Sequence, residues 1–462
     1  MKSITQERFS NIFKQLVTLS WPIVLAFMMQ VGYNVVDIFW VGRLGAMAIA
    51  AVALAGNVFF IILAVGQIIG SGTVALVAQS FGAALSDRAN NIIRQSLQLT
   101  FIIALCVSIV GFVFSREIMS LLGGTGQVLV ISTEYLRIVF IGFFFQLLSF
   151  SINYAFRGAG DMKTPMMIML AATLANIILD PLLILGIGFF PRLEVQGAAI
   201  ATVIAKCISF LFGLFILMRG KSGIRLKRLD DLHLESVVIK TILSVGIPIG
   251  FSYLLMGFTV MAAFNIVASF SEYAIASLGI GMRILQLASF LTVSIGISTT
   301  TLVGQSLGAR DDKKAVQIGG VAMIFSVIIM VFFTTIFATN ARFLISLFND
   351  NSQVIHYGID FLQTASFYLV FGAVTVSMTG VLRAAGYTLP PMFAGGIKWL
   401  TVWFVARIFA IDLGLGLTSV WWTLLMAYGI EAAIVSVWYF RGKWRKRGLE
   451  LLDRLRPSHL AT

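Results

Sequence analysis

The longest uncharged stretch of the chain runs from residue 44 to residue 86 and contains no Asp, Glu, Lys or Arg. Similar apolar runs recur along most of the 462 residues, which are 59% hydrophobic and only 11% charged. Ordinary soluble domains are about 45–50% apolar and about 25% charged. This composition excludes a cytosolic enzyme, a disordered chain and a disulfide scaffold. It predicts a chain that folds within a lipid bilayer.

Twelve stretches are long and apolar enough to cross a membrane, since a membrane helix needs about 20 predominantly apolar residues. They are 16–40, 46–72, 92–114, 134–156, 164–188, 196–218, 240–266, 276–300, 316–338, 357–382, 391–411 and 415–440. A β-barrel is excluded, because no segments of alternating hydrophobicity appear. We therefore predict an all-α integral membrane protein with twelve transmembrane helices. The stretch 44–86 is expected to hold one helix and uncharged connections rich in Gly and Ser.

The basic residues lie mainly in alternate loops and in the tails, which argues against a nucleic acid partner despite the net charge of +13. One side of the predicted membrane carries few of them, namely Arg43, Arg116, Arg137, Arg192 and Arg342. Cytoplasmic loops of membrane proteins carry the excess of Lys and Arg. Both termini are therefore predicted to be cytoplasmic, and the chain is predicted to lie in the cytoplasmic (inner) membrane of a prokaryote.

The chain contains an internal repeat with a constant offset of 226 residues. AFRGAGDMKTPMM at 155–167 is similar to VLRAAGYTLPPMF at 381–393, and VAQSFGAALSD at 77–87 is similar to VGQSLGARDD at 303–312. Six spans per half is an even number, so the halves are expected to run parallel, as pseudo-symmetric lobes related by an axis along the membrane normal. The predicted organisation is a cytoplasmic segment 1–15, an N-lobe 16–218, a linker loop 219–239, a C-lobe 240–440 and a basic tail 441–462. Such lobes are typical of transporters that work by alternating access, although a static scaffold is an alternative.

Two carboxylates inside spans of the N-lobe have no counterpart in the C-lobe. Asp37 in span 1 aligns with Ala263, and Asp180 in span 5 aligns with Ala406. A charged side chain inside the bilayer is costly and by default marks an ion or proton pathway. Asn176, one turn from Asp180, and Thr202 in span 6 are expected at a similar depth. Satisfied structural carboxylates, and a Thr at a helix interface, are the alternatives.

One proline lies directly after Asp180. Pro181 lacks a backbone N–H, so the carbonyl of Ile177 loses its usual helical partner. Asp37, Asn176, Asp180 and Thr202 offer oxygen ligands, which suit H⁺ or Na⁺ rather than Zn²⁺ or copper.

Pro22 at the start of span 1 either marks a bendable position or is simply a first-turn proline. Two further charges inside spans, Glu431 and Lys206, fall one position apart in the repeat alignment. For Glu431 the alternatives are a second proton site, a local ion pair or an interfacial position. Lys398 is expected to snorkel or to line the cleft between the lobes.

These features together resemble the multidrug and toxic compound extrusion (MATE) transporters, over residues from about 15 to 440. The paired RGAGD/RAAG-type and GQSLGA-type blocks carry the resemblance. It implies export of amphipathic, mostly cationic compounds in exchange for H⁺ or Na⁺. Spans 7 and 10 lack the buried carboxylates of the NorM-like and eukaryotic branches, and the N-lobe set is similar to the DinF-like prokaryotic branch. That likeness implies a proton or Na⁺ site at Asp37, Asn176, Asp180 and Thr202, and a conformational role for Pro22.

The expected function is thus a secondary active efflux antiporter. Met28, Met29 and Met256 are candidates for a deformable substrate cavity, because Met side chains adapt to varied ligands. No cofactor and no enzymatic activity are expected, and the chain is expected to act as a monomer. A lipid or lipid-linked-precursor flippase of the same superfamily is the alternative, although the acidic N-lobe favours cationic cargo.

Overall fold

The computed structural model describes residues 2–188, 190–226 and 233–453, and these contain helices and no strands. The first part of the chain forms α1 Lys2–Gly42, α2 Ala46–Gly56, α3 Val58–Gly82, α4 Ser86–Val113, α5 Ser115–Leu121, α6 Gly126–Ala159, α7 Lys163–Leu185 and α8 Glu194–Met218. A short 3-10 turn, Lys221–Gly223, follows.

The described elements of the second part of the chain are also helices. It forms α9 Ser236–Ala268, α10 Glu272–Gly308, α11 Asp312–Thr339, α12 Ala341–Ser346, α13 Ser352–Ala365, α14 Tyr368–Ala384, α15 Leu389–Leu400, α16 Leu417–Phe440 and α17 Lys443–Asp453. Two π-helical segments, Thr401–Val405 and Ile408–Asp412, extend α15. The prediction of an all-α integral membrane protein of twelve spans in two lobes is confirmed.

Span 10 is a broken helix rather than the single helix predicted over 357–382. Its two parts, α13 and α14, meet at an angle of 46°. The hydroxyl of Thr334 on α11 donates a hydrogen bond of 3.0 Å to the carbonyl of Ser366 at the break. A break inside a membrane span is tolerated where neighbouring groups satisfy the freed backbone. Within residues 2–188, 190–226 and 233–453, the other eleven spans are helices that are long and apolar enough to cross a membrane.

The expectation for residues 44–86 was wrong, because helix occupies almost all of this stretch. Helices α2 and α3 follow each other with only Asn57 between them. Within α3, Gly66 and Gly70 serve close helix packing instead of connections. A Cβ on Gly70 would lie 2.1 Å from the ring of Tyr154, and a Cβ on Gly66 would lie 2.7 Å from the ring of Phe150. Small residues at membrane helix interfaces allow such close approach.

The described helices divide into two compact units whose boundaries fall inside helices. One unit comprises residues 1–20 and 247–462, and the other comprises residues 21–246. The first boundary lies within α1 just before Pro22, and the second lies within α9 just before Pro248. The two boundaries are 226 residues apart, which is the offset of the sequence repeat. The first part of α1 therefore packs with the second half of the sequence, and the first part of α9 packs with the first half.

The AFRGAGD block forms a tight turn that joins α6 to α7. Gly160 ends α6 with a φ of 89°, and its repeat counterpart Gly386 has a φ of 66°. The carboxylate of Asp161 accepts hydrogen bonds from the backbone N–H of Thr164 at 2.9 Å and from its hydroxyl at 2.6 Å. This is the chemistry of a helix N-cap. The block is thus a structural turn that fixes where α7 begins.

The basic tail contains a helix that is docked by aromatic packing. The indole N–H of Trp444 on α17 donates to the carbonyl of Tyr439 at 3.0 Å, and the two rings stack with centroids 5.7 Å apart. Trp444 is only 1% exposed.

Candidate ion site

Three pairs of side chains, each four residues apart on its helix, meet in the unit of residues 21–246. They are Tyr33 and Asp37 on α1, Asn176 and Asp180 on α7, and Thr202 and Lys206 on α8. Side chains four residues apart share one face of a helix. Each helix therefore presents two polar groups together, and the six groups form one cluster.

A short connection sets α7 and α8 side by side at the depth of this cluster. The backbone N–H of Leu193 donates to the carbonyl of Leu183 at 3.0 Å. Just inside α8, a Cβ on Gly197 would lie 2.4 Å from the same carbonyl oxygen, so only glycine allows this approach. These contacts fix the position of α8 along the axis of α7. Asp180, one turn before the connection, and Thr202, about one turn beyond Gly197, therefore lie at a similar depth on neighbouring helices.

Hydrogen bonds join two of the three helices directly. The hydroxyl of Tyr33 donates to the hydroxyl oxygen of Thr202 at 3.0 Å, which links α1 to α8. The amide of Asn176 donates to Oδ1 of Asp180 at 2.9 Å within α7. Asp37 and Asp180 lie close enough to interact electrostatically. The structure therefore brings Asp37, Asn176, Asp180 and Thr202 into one cluster.

Three buried oxygens of this cluster have no hydrogen-bond partner among the described residues. They are Oδ1 of Asp37, Oδ1 of Asn176 and Oδ2 of Asp180. Asp180 and Asn176 are 0% exposed, whereas Asp37 is half-buried. A buried acceptor without a partner costs about 1–3 kcal/mol, and more when it is charged. The arrangement is therefore suited to a small cation or a proton that several oxygens share.

Pro181 lies inside α7 directly after Asp180. Because proline has no backbone N–H, the carbonyl of Ile177 cannot accept the usual helical hydrogen bond. An oxygen without its helical donor thus lies within one turn of both Asn176 and Asp180. This adds a further acceptor on the helix that carries the buried carboxylate.

Two members of the cluster, Tyr33 and Lys206, and one residue near it, Tyr135, were missed from the sequence as site residues. Tyr33 precedes Asp37 by one turn and Lys206 follows Thr202 by one turn, so helical spacing could have indicated both. Tyr135 on α6 also lies within electrostatic range of Asp37 and Asp180. It stands on a separate span, and nothing in its local sequence marks it.

The proline at position 22 lies deep inside α1, which begins at Lys2. The first-turn alternative is therefore wrong for Pro22, because a first-turn proline occupies a position whose N–H needs no helical partner. Pro248 likewise lies inside α9. Each proline follows the boundary at which its helix passes from one compact unit to the other.

The candidate cavity residues lie in different units. Met29 stands four residues before Tyr33 and eight before Asp37, so it shares the face of α1 that carries the cluster. Met28 on the same helix is 39% exposed, and Met256 on α9 is 40% exposed. Their role in binding substrate stays a prediction.

Glu431 on α16 forms a local ion pair, which was one of the alternatives for it. Its Oε2 lies 2.8 Å from Nζ of Lys398. The ammonium also lies 4.5 Å from the ring centroid of Tyr428, which stacks on Tyr368. Lys398 and Glu431 are 7% and 8% exposed. The snorkelling interpretation of Lys398 is therefore wrong, because the buried carboxylate holds its ammonium inside the fold.

Comparison with known proteins gives consistent similarities. The family model MatE matches residues 22–182 and 248–406. The probable multidrug resistance protein YoeA of Bacillus subtilis (strain 168) is 26% identical over 97% of this chain and 98% of its own length. The multidrug export protein MepA of Staphylococcus aureus (strain NCTC 8325 / PS 47) is 26% identical over 96% of this chain and 97% of its own length.

A solved structure of a multidrug resistance MATE family transporter of the MOP superfamily, in an outward-facing conformation, superposes with a TM-score of 0.87. It is 25% identical and covers 94% of this chain and 96% of its own.

Proposed function

The chain belongs to the MATE family of multi-pass membrane transporters, and we propose that it is a secondary active antiporter. It exports amphipathic, mostly cationic compounds in exchange for H⁺ or Na⁺ by alternating access. The observation that carries this proposal is the set of three buried oxygens, on Asp37, Asn176 and Asp180, that find no hydrogen-bond partner in the described part of the chain. A fold that only needed stability would not keep two carboxylates together inside membrane spans.

Asp37, Asn176, Asp180 and Thr202 bind the coupling ion in this mechanism. The two carboxylates supply negative charge, and the amide and hydroxyl oxygens complete the set of acceptors. A proton or Na⁺ that arrives from outside neutralises the negative charge of the carboxylates, to which a cationic substrate otherwise binds. Binding of one cation then weakens binding of the other, and this coupling is reciprocal by thermodynamic necessity.

The half-buried position of Asp37 suits it to exchange between ion and substrate. Asp180 is 0% exposed, whereas Asp37 keeps part of its side chain accessible. Met29 lies on the same face of α1 and supplies an apolar, adaptable contact for the substrate. Pro22 acts as a conformational position in α1, because its missing hydrogen bond makes bending of the helix less costly there.

The chain works as a monomer in the cytoplasmic membrane with both termini in the cytoplasm. The concentration of Lys and Arg in the loops that alternate with Arg43, Arg116, Arg137, Arg192 and Arg342 supports this orientation.

The decisive experiment is counterflow of a cationic substrate such as ethidium in proteoliposomes with an imposed ΔpH or ΔNa⁺. We expect one of the two gradients to drive transport by the wild-type chain and neither to drive it in Asp37→Asn. Asp412→Asn is the matched control, because it removes an exposed carboxylate from the end of span 11. Gradient-driven transport by Asp37→Asn at the wild-type rate would refute the ion site. Rescue of a flippase-deficient strain, without ethidium transport, would support the flippase instead.

A further inference from the structure

Helix α17 follows the last membrane span closely and begins where aromatic side chains are concentrated. Span α16 ends at Phe440, and two residues separate it from α17. One of them, Gly442, has a φ of 70°, a left-handed conformation that suits glycine in a sharp turn. Trp438, Tyr439 and Trp444 lie within four residues of Gly442. Because Trp and Tyr are enriched where spans meet the lipid head groups, this pattern places α17 at that level of the membrane.

One face of α17 is buried against its own compact unit. Trp444, Gly448 and Leu451 share this face, since they follow the spacing of one side of a helix. Trp444 and Leu451 are 1% and 4% exposed. A Cβ on Gly448 would lie 2.7 Å from the side chain of Leu307 on α10, so the two helices approach closely there. The helix is therefore held in a fixed orientation rather than attached only through its connection to α16.

The opposite side of α17, together with the turn before it, carries a cluster of exposed basic side chains. This basic patch consists of Arg441, Lys443, Arg445 and Lys446. In the described part of the chain only Lys446 among them forms an ion pair, with Glu450 at 3.9 Å. Such exposed pairs contribute little. The other carboxylate of α17, Asp453, pairs with Arg310 at 3.1 Å. The patch therefore keeps a net positive charge.

The position of these charges does not stabilise the helix that carries them. The first turn of α17 contains Lys443, Arg445 and Lys446 and no acidic residue, whereas Glu450 and Asp453 lie in its second half. Cations are favourable near the C-terminal end of a helix and unfavourable near its N-terminal end. The like charges also repel one another. An anion outside the chain therefore explains this cluster better than the stability of α17 does.

We propose that the basic patch binds the head groups of anionic phospholipids. Phosphate oxygens accept charge-assisted hydrogen bonds from Lys and Arg, and clusters of basic residues next to a membrane span bind anionic lipids. Val437 and Phe440, just before the patch, are 49% and 71% exposed. They belong to a helix that is apolar enough to span the membrane, so the acyl chains of the same lipids cover them. This inference is independent of the coupling ion.

The test titrates phosphatidylglycerol or phosphatidylcholine into the full chain in detergent and follows the melting temperature, because a ligand of the native state stabilises it. Lys443→Gln with Arg445→Gln removes two exposed charges from the patch, and Lys443→Arg with Arg445→Lys keeps both. Arg116→Gln with Arg342→Gln is the matched control. It removes the same charge from two exposed positions outside α17, on α5 and α12.

We expect phosphatidylglycerol to raise the melting temperature of the wild type more than phosphatidylcholine does. The neutral patch variant should need about tenfold or more phosphatidylglycerol for the same rise, whereas the charge-preserving variant and the control should respond like the wild type. Glu450→Gln should respond at lower lipid concentration, because it releases Lys446 from its ion pair.

Four results would overturn the inference. The wild type could respond equally to the two lipids, or the neutral patch variant and the control could lose the response to the same extent. The charge-preserving variant could lose the response as well, which would indicate a structural effect. Equal stabilisation of the wild type by inorganic phosphate would identify the ligand as a free anion instead of a lipid. The melting temperature of each variant without lipid reports separately on folding.

Discussion

Ser20 on the first part of α1 donates a hydrogen bond of 3.0 Å to Ser298 on α10. The repeat offset of 226 residues relates this pair to Gly246 on α9 and Gly72 on α3. A Cβ on Gly72 would lie 2.3 Å from the carbonyl oxygen of Ile242 on α9. The two crossings occupy equivalent positions. One uses a hydrogen bond between small side chains, whereas in the other each glycine lies close to the backbone of the facing helix, Gly72 at Ile242 and Gly246 at Ile68.

Gly246→Ala should destabilise the fold because the added methyl group meets backbone. Its Cβ would lie 1.6 Å from the carbonyl oxygen of Ile68, so α3 and α9 must separate. Overpacking of this kind costs typically about 1–3 kcal/mol, and backbone cannot rotate aside. The measurement is the melting temperature in detergent. Gly257→Ala on the same helix is the control, since nothing lies within 4 Å of its Cβ. Equal melting temperatures for the two variants would contradict the close crossing.

Pro22→Ala should slow transport while leaving the protein folded. Alanine restores the backbone hydrogen bond to Thr18 and removes a ring clash, and proline inside a helix costs about 3 kcal/mol. We expect a higher melting temperature and ethidium efflux several-fold below that of the wild type. Pro390→Ala is the control, because Pro390 lies in the first turn of α15, where its missing N–H is harmless. Efflux at the wild-type rate in Pro22→Ala would contradict a conformational role for Pro22.

Asp180→Asn should uncouple transport without loss of stability. The change removes a charge from a side chain that is 0% exposed and whose Oδ2 has no partner among the described residues. Burying an uncompensated charge is costly, so the melting temperature should stay the same or rise. Asp412→Asn should change neither stability nor transport. A melting temperature well below that of the wild type would show that Asp180 is a structural carboxylate.

Lys398→Met should destabilise the chain strongly. It leaves the carboxylate of Glu431 buried without the ammonium 2.8 Å away, and removal of one partner from a buried ion pair costs about 3–5 kcal/mol. The double variant Lys398→Met with Glu431→Met should recover most of this loss, because replacement of both partners by apolar groups is often close to neutral. Additive losses in the double variant would mean that the pair does not act as a unit.

The sequence predicted those parts of the site that depend on periodicity within one helix. Asn176 and Asp180 are four residues apart, and the asymmetry between Asp37 and Ala263 is visible in the repeat. Tyr135 could not be predicted, because its approach to Asp180 depends on how α6 packs. The ion pair of Lys398 and Glu431 joins two spans and was only one of several alternatives for the same reason.

The fold was predictable where the length of an apolar stretch determines a span. It was less predictable where a neighbouring helix stabilises a break in a span. Twelve apolar stretches gave the span count. The break near Ser366 has no Pro or Gly at the site, and it depends on a hydroxyl from Thr334 on another helix. The uncharged stretch 44–86 was predicted to hold connections because it is rich in glycine. In the structure, Gly70 and Gly66 instead lie against the rings of Tyr154 and Phe150 within a helix.

The passage of α1 and α9 between the compact units has a consequence for the duplicated gene. Each repeat encodes a first helix whose opening turns complete the globule built from the other repeat. Neither repeat therefore encodes a complete compact unit on its own. Each unit needs the first part of a helix that the other repeat encodes, and a single polypeptide supplies both.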